Sequence, residues 1–277
     1  WNLHRCKYLA PGRYEDLENE EPWKIVHKGQ HFGAPDITAF LCNEVTIPRK
    51  LKGKKVALQL CLGGEACVFI NNIPYNGLDG NRSLIYLTDC ASGNESYEIK
   101  IEAYSKNLII DSSKKFKIDL VITVSNLVSI CRQVYNLYND CSVCAEYIAY
   151  CPEKYTRMRV LSLLYDTLRI LDYKSEESLA ESASRASQHY YQGIKSFSNM
   201  KIPLDMYFVG HSHIDVAWHW PLKETVRKTS RTFSSMLRLM ERYPKFNFSQ
   251  SMPVLYEMAK CNYPELFSQI KERIKEG

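Results

Sequence analysis

Between residues 210 and 221 the chain reads Gly-His-Ser-His-Ile-Asp-Val-Ala-Trp-His-Trp-Pro, which sets His211, His213 and Asp215 at alternate positions. In extended backbone, side chains two apart point the same way, so these three are expected to project from one side. Two imidazoles and a carboxylate suit a borderline cation such as Zn²⁺, whose catalytic sites take about three protein ligands and keep one position open. The competing reading is a polar loop in which Asp215 accepts from backbone N–H groups and caps the next helix. Three possible ligands in five residues, with Trp218 and Trp220 close behind, favour the metal.

Such a motif needs a support on either side. Asp205–Val209 is a short apolar run ending in Gly210 and reads as a buried strand. Leu222, Val226, Phe233, Met236, Leu237 and Met240 then recur at helical spacing. Phe246–Phe248 reads as a second strand, and Pro253–Cys261 and Pro264–Lys275 as further helices. Strand, helix, strand, helix opens an α/β domain with a parallel sheet, and ligands collect at the carboxyl ends of such strands. Two strands do not complete such a sheet, so the domain is expected to continue past Gly277.

Upstream the period changes twice. Ile37–Ile47, Lys55–Leu62, Ala66–Asn71, Ser83–Leu87, Tyr97–Tyr104 and Phe116–Val124 alternate with period two. Turn chemistry separates them at Gly63-Gly64, Asn71-Asn72, Asp79-Gly80-Asn81 and Ser92-Gly93-Asn94. Closely spaced strands without helical intervals suggest an antiparallel sandwich. Trp1–Phe32 mixes charge with aromatics and reads as an irregular arm. From 126 to 200 the spacing is helical, with stripes at Val128, Cys131, Val134 and Tyr138, at Met158, Leu161, Leu164, Tyr165 and Leu168, and at Ala180, Ala183, Ala186 and Tyr190.

The run His211-Ser212-His213-Ile214-Asp215-Val216-Ala217-Trp218, then Trp220-Pro221, Lys223-Glu224-Thr225 and Arg231-Thr232-Phe233-Ser234, resembles the opening of the catalytic domain of glycoside hydrolase family 38 α-mannosidases. Leu239-Met240-Glu241, Ser249-Gln250-Ser251 and Tyr263-Pro264-Glu265-Leu266-Phe267 extend the resemblance across 205–277. Phe32-Gly33-Ala34-Pro35, Gly63-Gly64-Glu65-Ala66 and Asn76-Gly77-Leu78 are similar to the β-domain that precedes it. The resemblance implies zinc-dependent, retaining hydrolysis of terminal α-D-mannosides from oligosaccharides or glycans. It carries two zinc ligands onto His213 and Asp215 and a mannose-stacking ring onto Trp218. It puts His211 near the metal without counting it as a ligand. His219 departs from the apolar residue that relatives often carry. A retaining mechanism uses a nucleophilic carboxylate and a second carboxylic acid flanking one bond. The resemblance places both, and the last His ligand, beyond Gly277, so no catalytic residue is assigned within the chain and these residues alone are expected to be inactive. Glu224 and Glu241 read instead as a solvated helix surface paired with Lys223 and Arg242.

The fold expected is α+β multidomain. An N-terminal arm and antiparallel β-sandwich occupy 1–125, a helical connector 126–200, and the first strands and helices of a parallel α/β catalytic domain 201–277. A net charge of +5, with Lys and Arg scattered, gives no basic stripe for nucleic acid. No apolar run reaches the ~18 residues of a membrane span. Ten cysteines without an export signal favour free thiols in a reducing compartment, with cytoplasmic the expected location. The partner is then a mannose-containing oligosaccharide, and a homo-oligomeric parent is compatible with the family. Two other functions remain open. A metal-dependent amidohydrolase also uses His-x-His after its first strand, and a non-catalytic carbohydrate-binding or structural module fits a chain with two ligands and no nucleophile.

Overall fold

Strand alternation begins at the second residue. β1 (Asn2–Ala10), β2 (Arg13–Asp16) and β3 (Lys24–Ile25) occupy the stretch expected to be irregular. Leu3, Cys6 and Tyr8 of β1 are buried. The charges between them, Arg5 and Lys7, reach Glu20 and Glu15 and so obscure the alternation. The computed structural model describes residues 1–18, 20–104, 107–111, 114–117, 120–197, 205–218 and 220–277, with backbone alone over 107–111 and 114–117.

The next strands are β4 (Ile37–Thr46), β5 (Val56–Cys61), β6 (Glu65–Ile70), β7 (Ile73–Leu78), β8 (Leu84–Thr88) and β9 (Ser96–Tyr104). After them come β10 (Asn107–Asp111), β11 (Lys114–Lys117) and β12 (Val124–Ser129). The larger sheet is antiparallel in the order β2-β1-β4-β9-β6-β7, with β3 beside β1. A second sheet runs β12-β5-β8, and β10 and β11 form a separate hairpin. Between the two larger sheets lies a core that includes Leu41, Val68, Ile99 and Ile101 from one and Val56, Leu58, Leu60 and Ile85 from the other. β7 escapes sequence patterning because Pro74 and Asn76-Gly77 interrupt its apolar residues. The hairpin that makes it turns on Asn71 and Asn72, both at positive φ (53° and 64°), as a two-residue turn matched to strand twist requires. The expected strand Phe116–Val124 lies partly outside the described residues. Within it Leu120 and Ile122 are buried, and the amides of Val121 and Thr123 donate to Leu62 and Cys61, each at 3.0 Å.

Two compact units result: Trp1–Val128 with Tyr207–Gly277, and Ser129–Met206. The second is built from α1 (Arg132–Tyr150), α2 (Lys154–Arg169) and α3 (Glu176–Lys195). Ala183, Ala186 and Tyr190 face inward as expected. The α2 stripe does not: Met158, Leu161, Tyr165 and Leu168 are exposed, whereas Thr156, Val160 and Thr167 are buried. Two threonines on the inward face shifted the apparent apolar side.

The first unit ends with β13 (Gly210–His211), α4 (Leu222–Arg242), β14 (Phe248–Ser249), α5 (Pro253–Asn262) and α6 (Pro264–Glu276). β13 and β14 pair in parallel, Gly210 with Phe248 and His211 with Ser249. Asp205–Val209 does not form the buried strand expected of it, and Tyr207 and Phe208 are 90% and 80% exposed. An apolar run is buried as a strand only where neighbours flank it, and β14 extends over just two residues. α4 lies across the outer face of the larger sheet. Gly77 of β7 donates its N–H to Ser235 Oγ at 2.9 Å, and a Cβ there would sit 3.1 Å from the Arg231 carbonyl. Gly77→Ala is therefore expected to lower stability by about 1–3 kcal/mol in urea denaturation, the range for overpacking a filled interior.

Candidate functional site

The segment bearing the motif is tied down residue by residue. The Gly210 amide donates to Asn247 O at 2.8 Å. His211 Nδ1 lies 2.9 Å from the Ser249 carbonyl, and since a carbonyl only accepts, Nδ1 carries the proton. Gln250, itself buried, donates Nε2 to Ser212 O at 2.6 Å and accepts on Oε1 from the Met252 amide at 3.2 Å. Ile214 is buried in a cluster with Phe233, Leu237, Leu255 and Leu266. With Ile214 held inward, alternation turns its two neighbours out. His213 Nε2 and Asp215 Oδ1 stand 3.0 Å apart, with side chains 79% and 38% exposed.

The far end of the loop is closed by one hydroxyl. Thr225 Oγ1 donates to Val216 O at 2.6 Å and accepts from Trp220 Nε1 at 3.1 Å. Trp218 meets Trp220 edge-on, ring centroids 6.1 Å apart, and keeps 68% of its surface open.

The structure thus brings His213 and Asp215 together and turns one nitrogen of His211 toward backbone. Among the described residues, no three or more His, Cys, Asp or Glu side chains gather as a metal site. The N-cap of α4 is Pro221, and among the described residues no side-chain bond caps the helix there, which tells against the capping alternative. His219 lies outside the described residues. An imidazole nitrogen and a carboxylate oxygen this close, both open to solvent, fit a borderline divalent cation as two of its ligands.

Beneath the motif, Glu224 corrects the expectation of a solvated surface: it is 1% exposed. Arg227 donates Nε to Glu224 Oε2 at 2.6 Å, and Nη1 to Thr38 Oγ1 at 2.8 Å and Glu102 Oε1 at 3.1 Å. Its guanidinium lies over the rings of Tyr8 (4.0 Å) and Tyr104 (4.5 Å). Arg231 Nη2 reaches Glu224 Oε1 at 3.0 Å and Glu65 Oε2 at 2.8 Å, and Tyr14 donates to Glu102 Oε1 at 2.8 Å. Burial alone would lower the Arg227 pKa, but Glu224 and Glu102 beside it raise it above the ordinary value. In the same seam burial, with Glu102 nearby, pushes the Cys67 thiol up to about 12. Glu241 does behave as a surface group, paired with Arg238 at 2.7 Å and 44% exposed.

None of the residues that position the loop was singled out for that role from sequence. Gln250 and Thr225 act through backbone carbonyls that only the folded loop presents. Glu224, Arg227 and Arg231 did leave a signal, since their spacing of three and four puts them on one helix face.

A cleft of about 140 Å³ adjoins the pair, bounded by Ser212, His213, Ile214 and Trp220, by Lys228, Arg231 and Thr232 of α4, and by Glu65, Gly77, Leu78, Asp79 and Arg82 of the sandwich.

With the β-sandwich and the strand-end motif described, comparison with known proteins says what the chain is similar to. Residues 203–277 match the glycosyl hydrolases family 38 N-terminal domain, and residues 5–121 match the alpha-mannosidase jelly roll domain. Alpha-mannosidase G of Dictyostelium discoideum is 24% identical over 95% of this chain and 25% of its own length. Alpha-mannosidase 2C1 of Homo sapiens is 28% identical over 96% of this chain and 26% of its own length. The alpha-mannosidase of Saccharomyces cerevisiae is 33% identical over 32% of this chain and 8% of its own length. The chain resembles family 38 α-mannosidases along most of its length, and it spans about a quarter of the first two of these relatives.

Arg227→Met would leave Glu102 buried without its cation and Glu224 with Arg231 alone. It is expected to cost about 3–5 kcal/mol in chemical denaturation. Glu241→Ala, which removes an exposed pair, is expected to cost less than about 1 kcal/mol by the same measurement.

Proposed function

We propose that the chain forms the N-terminal part of a zinc-dependent, retaining α-mannosidase that removes terminal α-D-mannosides from oligosaccharides or glycans. The observation that carries this reading is the His213–Asp215 pair, 3.0 Å apart at an open lip, within the segment matched to the family 38 domain. In this reading the two side chains hold zinc, which when bound polarises hydroxyls of the mannose to be cleaved. Trp218 presents its exposed face to the apolar side of the pyranose. Gln250 and Thr225 fix the loop before substrate arrives, so little orientation remains to be acquired on binding.

Retention requires two carboxylates about 5–5.5 Å apart on either side of the glycosidic bond. Glu224 is barred from either role by its burial between Arg227 and Arg231, and the reading assigns neither role within residues 1–277. The reading divides the chain into sandwich (1–125), helical connector (126–200) and the beginning of a parallel α/β catalytic domain (201–277). The parallel β13–β14 pair with α4 between its strands supports the last assignment. All ten cysteines are free thiols, and among the described residues no helix is long and apolar enough to cross a membrane. The free thiols support a reducing, cytoplasmic location.

The test uses the intact protein and residues 1–277 side by side. The intact protein is expected to contain zinc and hydrolyse an aryl α-mannoside, and the 277 residues to give no measurable turnover. His213→Ala and Asp215→Ala in the intact protein should each lower zinc content and cut kcat/KM about 100-fold or more, since even outer-shell changes at metal sites cost about 10–100-fold. Full turnover by residues 1–277, or undiminished cleavage after both substitutions, would contradict the reading.

A further inference from the structure

The cleft beside the metal-capable pair has a wall that the motif does not supply. On one side stand Ser212, His213 and Trp220, and on the other Asp79 and Arg82 from the β7–β8 turn of the sandwich. We infer that this turn binds the saccharide to which the cleaved mannose is attached, an inference that rests on the α-mannosidase reading above.

The turn is rigid and its cation is aimed. Asp79 Oδ1 accepts from the amides of Asn81 (2.8 Å) and Arg82 (2.9 Å), while Oδ2 accepts from Arg82 Nε at 2.9 Å. The guanidinium is thereby fixed by one edge. Nε and Nη2 both meet Asp79 Oδ2, while the side chain lines the cleft and remains 48% exposed, against 23% for Asp79, so the guanidinium edge away from Asp79 is left to a ligand. A planar fork of donors suits adjacent hydroxyl oxygens on a sugar ring.

Charge selects a neutral ligand over a phosphate. Lys228 and Arg231 are both engaged by Glu65, at 2.7 Å and 2.8 Å, and Arg82 by Asp79. Arg231 also meets Glu224, so the three cations at the cleft face the carboxylates of Glu65, Glu224 and Asp79, and little positive field is left for an anion.

Position selects the sugar. The cleft takes in His213 and Trp220 but neither Asp215 nor Trp218, so it lies next to the proposed mannose position and not on it. A terminal mannose has one covalent neighbour. A separate hydroxyl-binding wall beside it therefore receives the leaving saccharide.

The experiment is Arg82→Gln in the intact protein, with a mannobiose and an aryl α-mannoside as substrates. Gln keeps the turn, whose backbone bonds belong to Asp79. A lost hydrogen bond from a charged donor should lower kcat/KM for mannobiose about tenfold, mainly through KM. The aryl mannoside, which lacks that second sugar, should stay within about twofold. Calorimetric affinity for mannobiose should weaken in step, with zinc content and thermal midpoint unchanged, and Arg82→Lys should fall between. Equal losses on both substrates, or no loss on either, overturn the inference while leaving the mannosidase reading in place. An unsubstituted intact protein that binds no zinc and cleaves neither substrate overturns both.

Discussion

Arg227 joins two surfaces that each carry a buried carboxylate, Glu102 on the sheet and Glu224 on its own helix. Placing such charges out of water is expensive, and the arrangement holds only because the acceptors and donors are answered. Thr38, Tyr14 and Arg231 complete the set. The pattern tolerates little sliding of α4. A shift along the axis would separate Arg227 from Glu102 and drive the backbone at Arg231 away from Gly77, where the absence of a side chain allows close approach. Any other register would leave buried charges without their partners.

That register is transmitted to the motif through a short lever. Thr225, one residue beyond Glu224, holds the carbonyl after Asp215 and the indole of Trp220. Ile214 is clamped from the opposite side by Phe233 and Leu237 of the same helix, with Leu255 behind. The outward direction of His213 and Asp215 is thus decided by which neighbours are buried. The sandwich contributes as well, because the helix that seats the loop is itself seated on β6, β7 and β9 and leaves the Asp79–Arg82 turn across the cleft.

Much of this was legible in the chain. β4, β5, β8 and β9 follow alternation, α4, α5 and α6 follow helical spacing and their prolines, and His213, Asp215 and Trp218 stand out by type and interval. What was not legible has consistent causes. β1 was hidden because its polar positions carry long charged side chains with partners on neighbouring segments. The apolar stripe of α2 points to the wrong face because threonines serve in its interior. Glu224 reads as surface because the groups that bury its partner Arg227, Glu102 and Thr38, lie more than a hundred residues away, beyond any local rule. The run of small hydroxyl residues Thr225, Thr229, Ser230, Ser234 and Ser235 was the available hint, since such side chains allow a helix to lie close on a sheet. Spacing also brought His211 into the candidate set, whereas pairing with β14 commits its Nδ1 to a carbonyl.

The central claim is that the ion seam under α4 holds the loop bearing His213 and Asp215 in place. Amide hydrogen exchange in Glu102→Gln tests it directly, because that substitution removes one charge from the sheet and touches no residue of the loop. The account predicts faster exchange across residues 211–220 and the first turns of α4, while amides of β4 and β5 that face the sandwich core keep their protection. Unchanged protection of 211–220 in a folded variant would contradict it.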